Sequence, residues 1–177
     1  MAYKLLDREY IYRGKVLDLS RSRFQSESKG EVTIEIVHHN GGAGALPLFD
    51  DGTVALVRQF RYPLGRIALE VCAGRIEPGD GPEETAIREL EEEMGLKAAN
   101  VQKLAEFFVA PGYCEERIYM YLATGLTPSS QNLDDDEEIE VIRLPFEEAL
   151  EKVRSGQIDD AKSIIAINAA VPFVRKA

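Results

Sequence analysis

The chain has 177 residues, 45% hydrophobic and 29% charged, the balance of a globular domain rather than a disordered or fibrous chain. Its formal net charge of −10 argues against nucleic acid as the main partner, because duplex binding depends on cation–phosphate contacts. No apolar run approaches the roughly 20 residues of a membrane helix, Met1-Ala2-Tyr3-Lys4 leads into no apolar signal core, and the two cysteines, Cys72 and Cys114, suit reduced thiols, so a cytoplasmic protein is expected.

The first 40 residues alternate in the manner of short strands. Val32, Ile34 and Ile36 share one face of 31–37, with Thr33 and Glu35 on the other. Asn40-Gly41-Gly42-Ala43-Gly44 is a flexible break, which divides the chain into an N-terminal β extension (1–40) and a main domain (41–177). Strands are expected at 45–49 and 53–60, joined by Asp50-Asp51-Gly52 as a hairpin turn, and again at 67–72. A helix over 82–94 follows. Strands are expected at 101–109 and 117–123 around the loop 110–116, and at 138–143 after the acidic run Asp134-Asp135-Asp136-Glu137-Glu138. Phe146, Ala149, Leu150 and Val153 repeat at i, i+3, i+4, i+7, so a helix ends before Gly156. A last helix is expected over 161–170, capped by Asp159 or Asp160. Strands before, between and after helices make the class α/β or α+β, with a mixed sheet.

The helix over 82–94 carries the chemistry. Pro82 suits the first helical position, Glu83 and Glu84 suit the first turn, and Gly95 suits a left-handed stop. Ile87, Leu90 and Met94 are expected to face the core. Glu89, Glu92 and Glu93 stand at i, i+3, i+4 on one face. Carboxylates so close repel: at an effective dielectric near 20, a pair about 4 Å apart costs on the order of 4 kcal/mol. Two readings are open from the helix alone. One is a solvated acidic face, the usual meaning of a glutamate run; the other is a seat for a hard divalent cation.

The preceding loop decides between them. From Gly74 to Leu96 the chain reads G-R-I-E-P-G-D-G-P-E-E-T-A-I-R-E-L-E-E-E-M-G-L. This resembles the signature of the Nudix hydrolases: Gly, five residues, Glu, seven residues, then Arg-Glu-apolar-x-Glu-Glu-x-Gly-apolar. Gly74, Arg88, Glu89, Leu90, Glu92, Glu93, Gly95 and Leu96 match at their spacing, and Asp80 replaces the first Glu. The resemblance implies the Nudix fold, a mixed sheet between helices, and a hydrolase of a nucleoside diphosphate linked to another group. It implies Glu89, Glu93, Glu92 and the Ala73 carbonyl as ligands of Mg²⁺, with Mn²⁺ as an alternative. Arg88 would orient the glutamates, or pair with Glu84 at i−4. Glu92 and Arg88 therefore join the catalytic set. In several groups of the family the general base lies in a late loop; Glu137 is the first choice here, with Asp135 and Glu138 as alternatives.

Residues outside the signature resemble the ADP-ribose pyrophosphatase subgroup. Pro111 lies 16 positions after Gly95 in Ala110-Pro111-Gly112-Tyr113. Leu69-Glu70-Val71-Cys72-Ala73-Gly74 resembles that subgroup's Leu-Glu-x-Pro-Ala-Gly, with Cys72 in place of proline. Val57-Arg58-Gln59-Phe60-Arg61 resembles its arginine-bearing strand, Glu116 its acidic loop residue, and Ser155 to Lys162 its closing segment. Arg61, Arg58, Glu70 and Glu116 are thus the expected substrate-binding residues, Arg61 as a pyrophosphate clamp and Glu70 as acceptor for a sugar hydroxyl or partner of Arg61. The subgroup implies hydrolysis of ADP-ribose to AMP and ribose 5-phosphate, and a homodimer whose exchanged N-terminal strands help bind the base. The alternatives are another sugar nucleotide such as GDP-mannose, or a non-catalytic nucleotide-sugar sensor, which the three intact glutamates disfavour.

Overall fold

In the computed structural model, residues 2–133 and 137–174 are described. They divide into two compact units. One comprises residues 2–41 with Phe108–Arg117; the other comprises Gly42–Phe107 with residues 118–174.

The first unit is an antiparallel meander of β1 (Tyr3–Arg13), β2 (Asp18–Ser26) and β3 (Gly30–His38). Its loop segment 110–116 is hooked to β3 by backbone bonds, Val37 N–H to the Tyr113 carbonyl (2.8 Å) and Glu115 N–H to the Val37 carbonyl (3.1 Å). That attachment was not legible in the sequence, which set the loop only between two later strands.

The second unit holds two sheets. One has the order β10–β5–β6: β5 is Thr53–Arg61, β6 is Arg66–Glu70 and β10 is Ile139–Pro145. The other has the order β7–β4–β9–β8: β4 is Gly42–Pro47, β7 is Cys72–Arg75, β8 is Leu96–Phe108 and β9 is Arg117–Pro128. β4 and β9 run parallel, whereas β7 pairs antiparallel with β4, so the second sheet is mixed; β5 pairs antiparallel with both β6 and β10. The Asp-Gly turn forms, with Gly52 at φ 80°, but the expected hairpin does not: β4 and β5 enter different sheets, and the chain on either side of the turn meets in the isolated bridge Leu48–Val54.

Three helices cover these sheets: α1 (Pro82–Met94), α2 (Phe146–Arg154) and α3 (Ala161–Val174). Strand alternation sends successive side chains to opposite faces. Leu46, Leu56, Val71 and Leu122 pack with Phe146, Leu150, Ile158 and Ile167 on the side of α2 and α3. Their neighbours Ala45, Val57, Cys72 and Ala123 pack with Leu90 and Met94 of α1. The α1 side is lined largely by alanine, which lets that helix lie close to the strands. None of the described helices is long and apolar enough to cross a membrane.

Several boundaries differ from expectation. β8 begins at Leu96 rather than residue 101, because pairing with β9 carries the weak strand formers Lys97, Ala98, Ala99 and Asn100. The strand expected at 67–72 is two strands, broken at Val71. β4 begins inside the glycine-rich segment, at Gly42. α3 runs four residues past the expected end, through Pro172.

Candidate active site

The break at Val71 sets residues with chemistry on both of its sides. Val71 leaves the ladder and donates its N–H to Ser163 Oγ (2.9 Å), which in turn donates to Asp160 Oδ2 (2.6 Å). Asp160 also accepts the Ser163 N–H (3.0 Å), so Asp160, not Asp159, caps α3. Before the break stands Glu70; after it stand Ala73 and Gly74, the latter directly under α1. A side-chain carbon on Gly74 would lie 2.0 Å from Glu89 Oε1 and 2.1 Å from its Cδ. Glycine at 74 is the space that Glu89 occupies.

On α1 the expected core-facing stripe is met at Leu90 and Met94 but not at Ile87. Ile87 is 42% exposed, whereas Ala86, Leu90 and Met94 are buried, and Glu89 (8%) and Glu93 (3%) are buried with them. At 100° per residue, positions 86, 89, 90, 93 and 94 share one face, and two of them are acids. Hydrophobic patterning therefore finds Leu90 and Met94 but puts Ile87 where Ala86 stands, and it misses the two buried acids. The helix starts after Gly81, whose N–H is held by Glu84 Oε2 (3.0 Å). It ends at Gly95 (φ 63°), whose N–H returns to the Glu91 carbonyl (2.9 Å).

Arg88 turns toward the acids of its own C-terminal side. Its Nη1 lies 2.8 Å from Glu89 Oε1 and 2.7 Å from Glu92 Oε2. The alternative pairing with Glu84 does not form, because Glu84 is committed to the helix start. Glu93 Oε2 is buried and has no hydrogen-bond partner among the described residues. Burial raises the Glu93 carboxyl to about 8, reinforced by the charges of Glu89 and Glu137 and opposed by Arg61 and Lys162. Burial likewise raises Glu89 to about 7; Arg88 opposes this and the charges of Glu92 and Glu137 add to it.

Such an arrangement is costly without a compensating cation. Among the described residues no three His, Cys, Asp or Glu side chains stand ready as a metal cage, since Arg88 takes up Glu89 and Glu92 instead. The orphaned Glu93 oxygen, two buried acids with raised proton affinity and the hard oxygen character of all four groups (Glu89, Glu92, Glu93 and the Ala73 carbonyl) suit a divalent ion such as Mg²⁺ or Mn²⁺.

The segment 129–132, which precedes the late acidic run in sequence, is tied to the end of this helix by hydrogen bonds to its carbonyls. Ser129 N–H donates to the Gly95 carbonyl (2.7 Å), Gln131 Nε2 to the Glu93 carbonyl (2.6 Å) and Asn132 N–H to the Glu92 carbonyl (2.9 Å). These bonds satisfy carbonyls that the helix end would leave unpaired. Glu137 is half-buried, and its charge acts on both Glu89 and Glu93. Glu138 is exposed, and Asp135 lies outside the described residues.

A second cluster adjoins Glu93. Arg61 grips Glu70 with two bonds, Nε to Oε1 (2.8 Å) and Nη2 to Oε2 (2.7 Å). Lys162 Nζ also donates to Glu70 Oε2, and lies 3.0 Å from Asp160 Oδ2. Burial pushes the Glu70 carboxyl up, but the Arg61 bond and the Lys162 charge outweigh it and hold it at about 2. Lys162 and Ser163 have no role assigned from sequence, and Asp160 only that of a helix cap; the resemblance of 155–162 to the subgroup is the one signal pointing to the cluster.

Of the other expected binding residues, one points away from this cluster and one belongs to the first unit. Arg58 lies on the opposite face of β5 from Arg61, exposed and paired with Glu140 (2.9 Å). Glu116 belongs to the first unit, 3.4 Å from His39 Nδ1, which already accepts the Gly41 N–H. Cys72 is fully buried with its thiol donating to the Ala45 carbonyl (3.3 Å), and burial pushes its pKa far up, so it is no nucleophile.

A buried glutamate helix, a glycine seat beneath it and a flanking strand–loop–helix define the signature region of one family, and the chain belongs to it: the NUDIX domain model matches residues 38–165. The chain is 39% identical over 166 residues to an ADP-ribose pyrophosphatase of Bacillus subtilis (strain 168), covering 93% of this chain and 90% of that protein. It is 32% identical over 177 residues to a GDP-mannose pyrophosphatase of Enterobacter sp. (strain 638), covering 92% and 88%. The fold matches a crystal structure titled ADP compounds hydrolase with a TM-score of 0.86 at 20% identity, over 99% of this chain and 96% of that one.

Proposed function

We propose that this protein is a divalent-cation-dependent pyrophosphohydrolase of nucleoside diphosphate sugars, with ADP-ribose as its substrate and AMP and ribose 5-phosphate as its products. The observation that carries the reading is the buried Glu89–Glu93 pair with its unpartnered oxygen, adjoining the Arg61–Glu70–Lys162 cluster. The names of the relatives support the substrate: an ADP-ribose pyrophosphatase has the higher identity, and a GDP-mannose pyrophosphatase keeps another sugar nucleotide as the second reading.

Glu89, Glu92, Glu93 and the Ala73 carbonyl would hold Mg²⁺. When bound, the ion offsets charge developing on the phosphate oxygens and makes a water more acidic. Arg88 keeps Glu89 and Glu92 in register through its shared Nη1. Arg61 supplies a delocalised cation for a phosphate oxygen, a geometry that suits guanidinium. Glu137 accepts the proton of the attacking water at its carboxylate. Glu70 fixes Arg61 and offers its remaining lone pairs to a sugar hydroxyl.

The first unit is read as the dimerisation and base-binding element of a homodimer. Its strands expose Tyr3, Leu5, Leu6, Ile11, Tyr12 and Ile34, each more than two-fifths accessible. Exposed apolar surface of this extent marks an interaction face. Gel filtration returning a monomer would remove that assignment.

The test of the main reading is a turnover panel with Mg²⁺: ADP-ribose, GDP-mannose, other sugar nucleotides, diadenosine polyphosphates and dNTPs. Highest kcat/KM with ADP-ribose is expected. Preference for GDP-mannose would favour the second reading, and no turnover of any compound would sink the enzyme.

A further inference from the structure

We propose that Lys162 is a positioning residue for the substrate clamp: it is the standing counter-ion of Glu70 that lets Arg61 leave Glu70 for the substrate's phosphates. This inference rests on the pyrophosphohydrolase reading of the same site.

Glu70 retains 3% of its side-chain exposure and is held by two cations, Arg61 and Lys162. Lys162, 14% exposed, also faces Asp160, so the two acids and two cations balance in charge. Glu70 nevertheless touches both cations, and either one leaves it paired when the other is withdrawn.

The two cations are not equivalent. Arg61 is 35% exposed, the most accessible member of the cluster. Lys162 sits deeper, with its ammonium shared between Glu70 Oε2 and Asp160 Oδ2. Asp160 is itself tied to α3, accepting both the N–H and the hydroxyl of Ser163. Lys162 is therefore fixed, and Arg61 is the partner that can move.

An anionic phosphate competes with Glu70 for the Arg61 guanidinium. If Arg61 were the sole partner, its departure would strand a desolvated carboxylate, and that penalty would be subtracted from substrate affinity. With Lys162 in place, Glu70 stays ionised and paired after Arg61 has turned. The downward displacement of the Glu70 pKa, to which Lys162 contributes by both charge and hydrogen bond, agrees with this. A purely structural staple between α3 and β6 would show the same static contacts, but would not couple to substrate affinity.

The coupling is measurable by steady-state kinetics with ADP-ribose and by calorimetric binding of inorganic pyrophosphate. Lys162→Met should raise KM, and weaken pyrophosphate binding, about tenfold or more with kcat little changed, because the loss falls on binding rather than on chemistry. Lys162→Arg should restore most of the affinity. Neutralising the carboxylate removes the need for a counter-ion. Glu70→Gln and the double variant Glu70→Gln/Lys162→Met should therefore have equal KM, which also covers the case where Lys162→Met alone fails to fold. A KM for Lys162→Met within twofold of wild type, with only the melting temperature lowered, would overturn the proposal. So would a further rise in KM when Lys162 is removed from the Glu70→Gln background. Wild-type enzyme that turns over no sugar nucleotide would instead overturn the functional reading beneath it.

Discussion

Glu89 and Gly74 occupy one volume: the Glu89 carboxylate lies where a side chain on residue 74 would begin, 2.0 Å from that position. The displaced group is the far end of a flexible side chain, so relief of the clash is cheap for the fold and expensive for the site. Gly74→Ala should therefore fold and melt close to wild type. Its kcat/KM should fall about 100-fold, the scale of a misplacement near 1 Å. Circular dichroism with steady-state kinetics checks both halves. A collapse of stability, or full activity, would contradict this seating of Glu89.

Glu93 supplies the orphaned oxygen. Mg²⁺ at about 100 times its dissociation constant should stabilise the wild type by roughly 2.7 kcal/mol, read as a rise in melting temperature. Glu93→Gln should lose most of that rise. Its activity should drop more than the 10–100-fold typical of residues that only orient a metal's ligands. An undiminished Mg²⁺-dependent shift in the variant would remove Glu93 from the cation site.

Glu137 and its neighbours separate by charge geometry. Glu137→Gln should lower kcat by about 10²- to 10⁴-fold, the range of a lost general base, with KM little altered. Glu138→Gln, at an exposed position, should stay near wild type. Asp135→Asn is the remaining comparison; if none of the three variants slows turnover, the base lies elsewhere.

The Glu70 cluster makes a prediction at low pH. Its carboxyl stands at about 2 in the folded chain against an ordinary value of 4.5. The stabilisation is fully present above the unfolded value and disappears as pH falls from about 4.5 toward 2. Its size is on the order of 3 kcal/mol. Glu70→Gln should flatten the acid limb of the stability curve over that window relative to wild type, followed by urea unfolding at successive pH values. Parallel acid limbs would mean that Glu70 titrates normally.

Sequence made the glutamate helix, its start at Pro82 and its stop at Gly95 legible, because caps and i, i+3, i+4 spacing are local properties. It also placed Arg61 beside Glu70, through the resemblance and simple charge complementarity. Leu90 and Met94 of the buried stripe were legible too, but Ile87 was not placed correctly, since a rule that puts hydrophobic residues inside cannot anticipate Glu89 and Glu93 there with Ile87 outside. Lys162 stands 92 residues from Glu70, and an ion pair over that separation leaves no periodic trace. Arg58 and Arg61 look alike in a strand read as text; only the sheet, with Glu140 across from Arg58 and Glu70 near Arg61, tells their faces apart. The start of β8 was hidden because its partner strand, not its own composition, makes it a strand.

Val71, the residue that leaves the ladder, has a wider meaning. Glu70 and Ala73 stand three residues apart on one stretch of backbone, so the spacing between clamp and cation seat is set by covalent geometry at a kink. That break is held by Ser163 on α3, whose hydroxyl oxygen accepts the Val71 N–H. Ser163→Ala would leave the Val71 N–H without that partner, so a residue on α3, 92 positions along the chain from Val71, bears on the spacing of two strand positions.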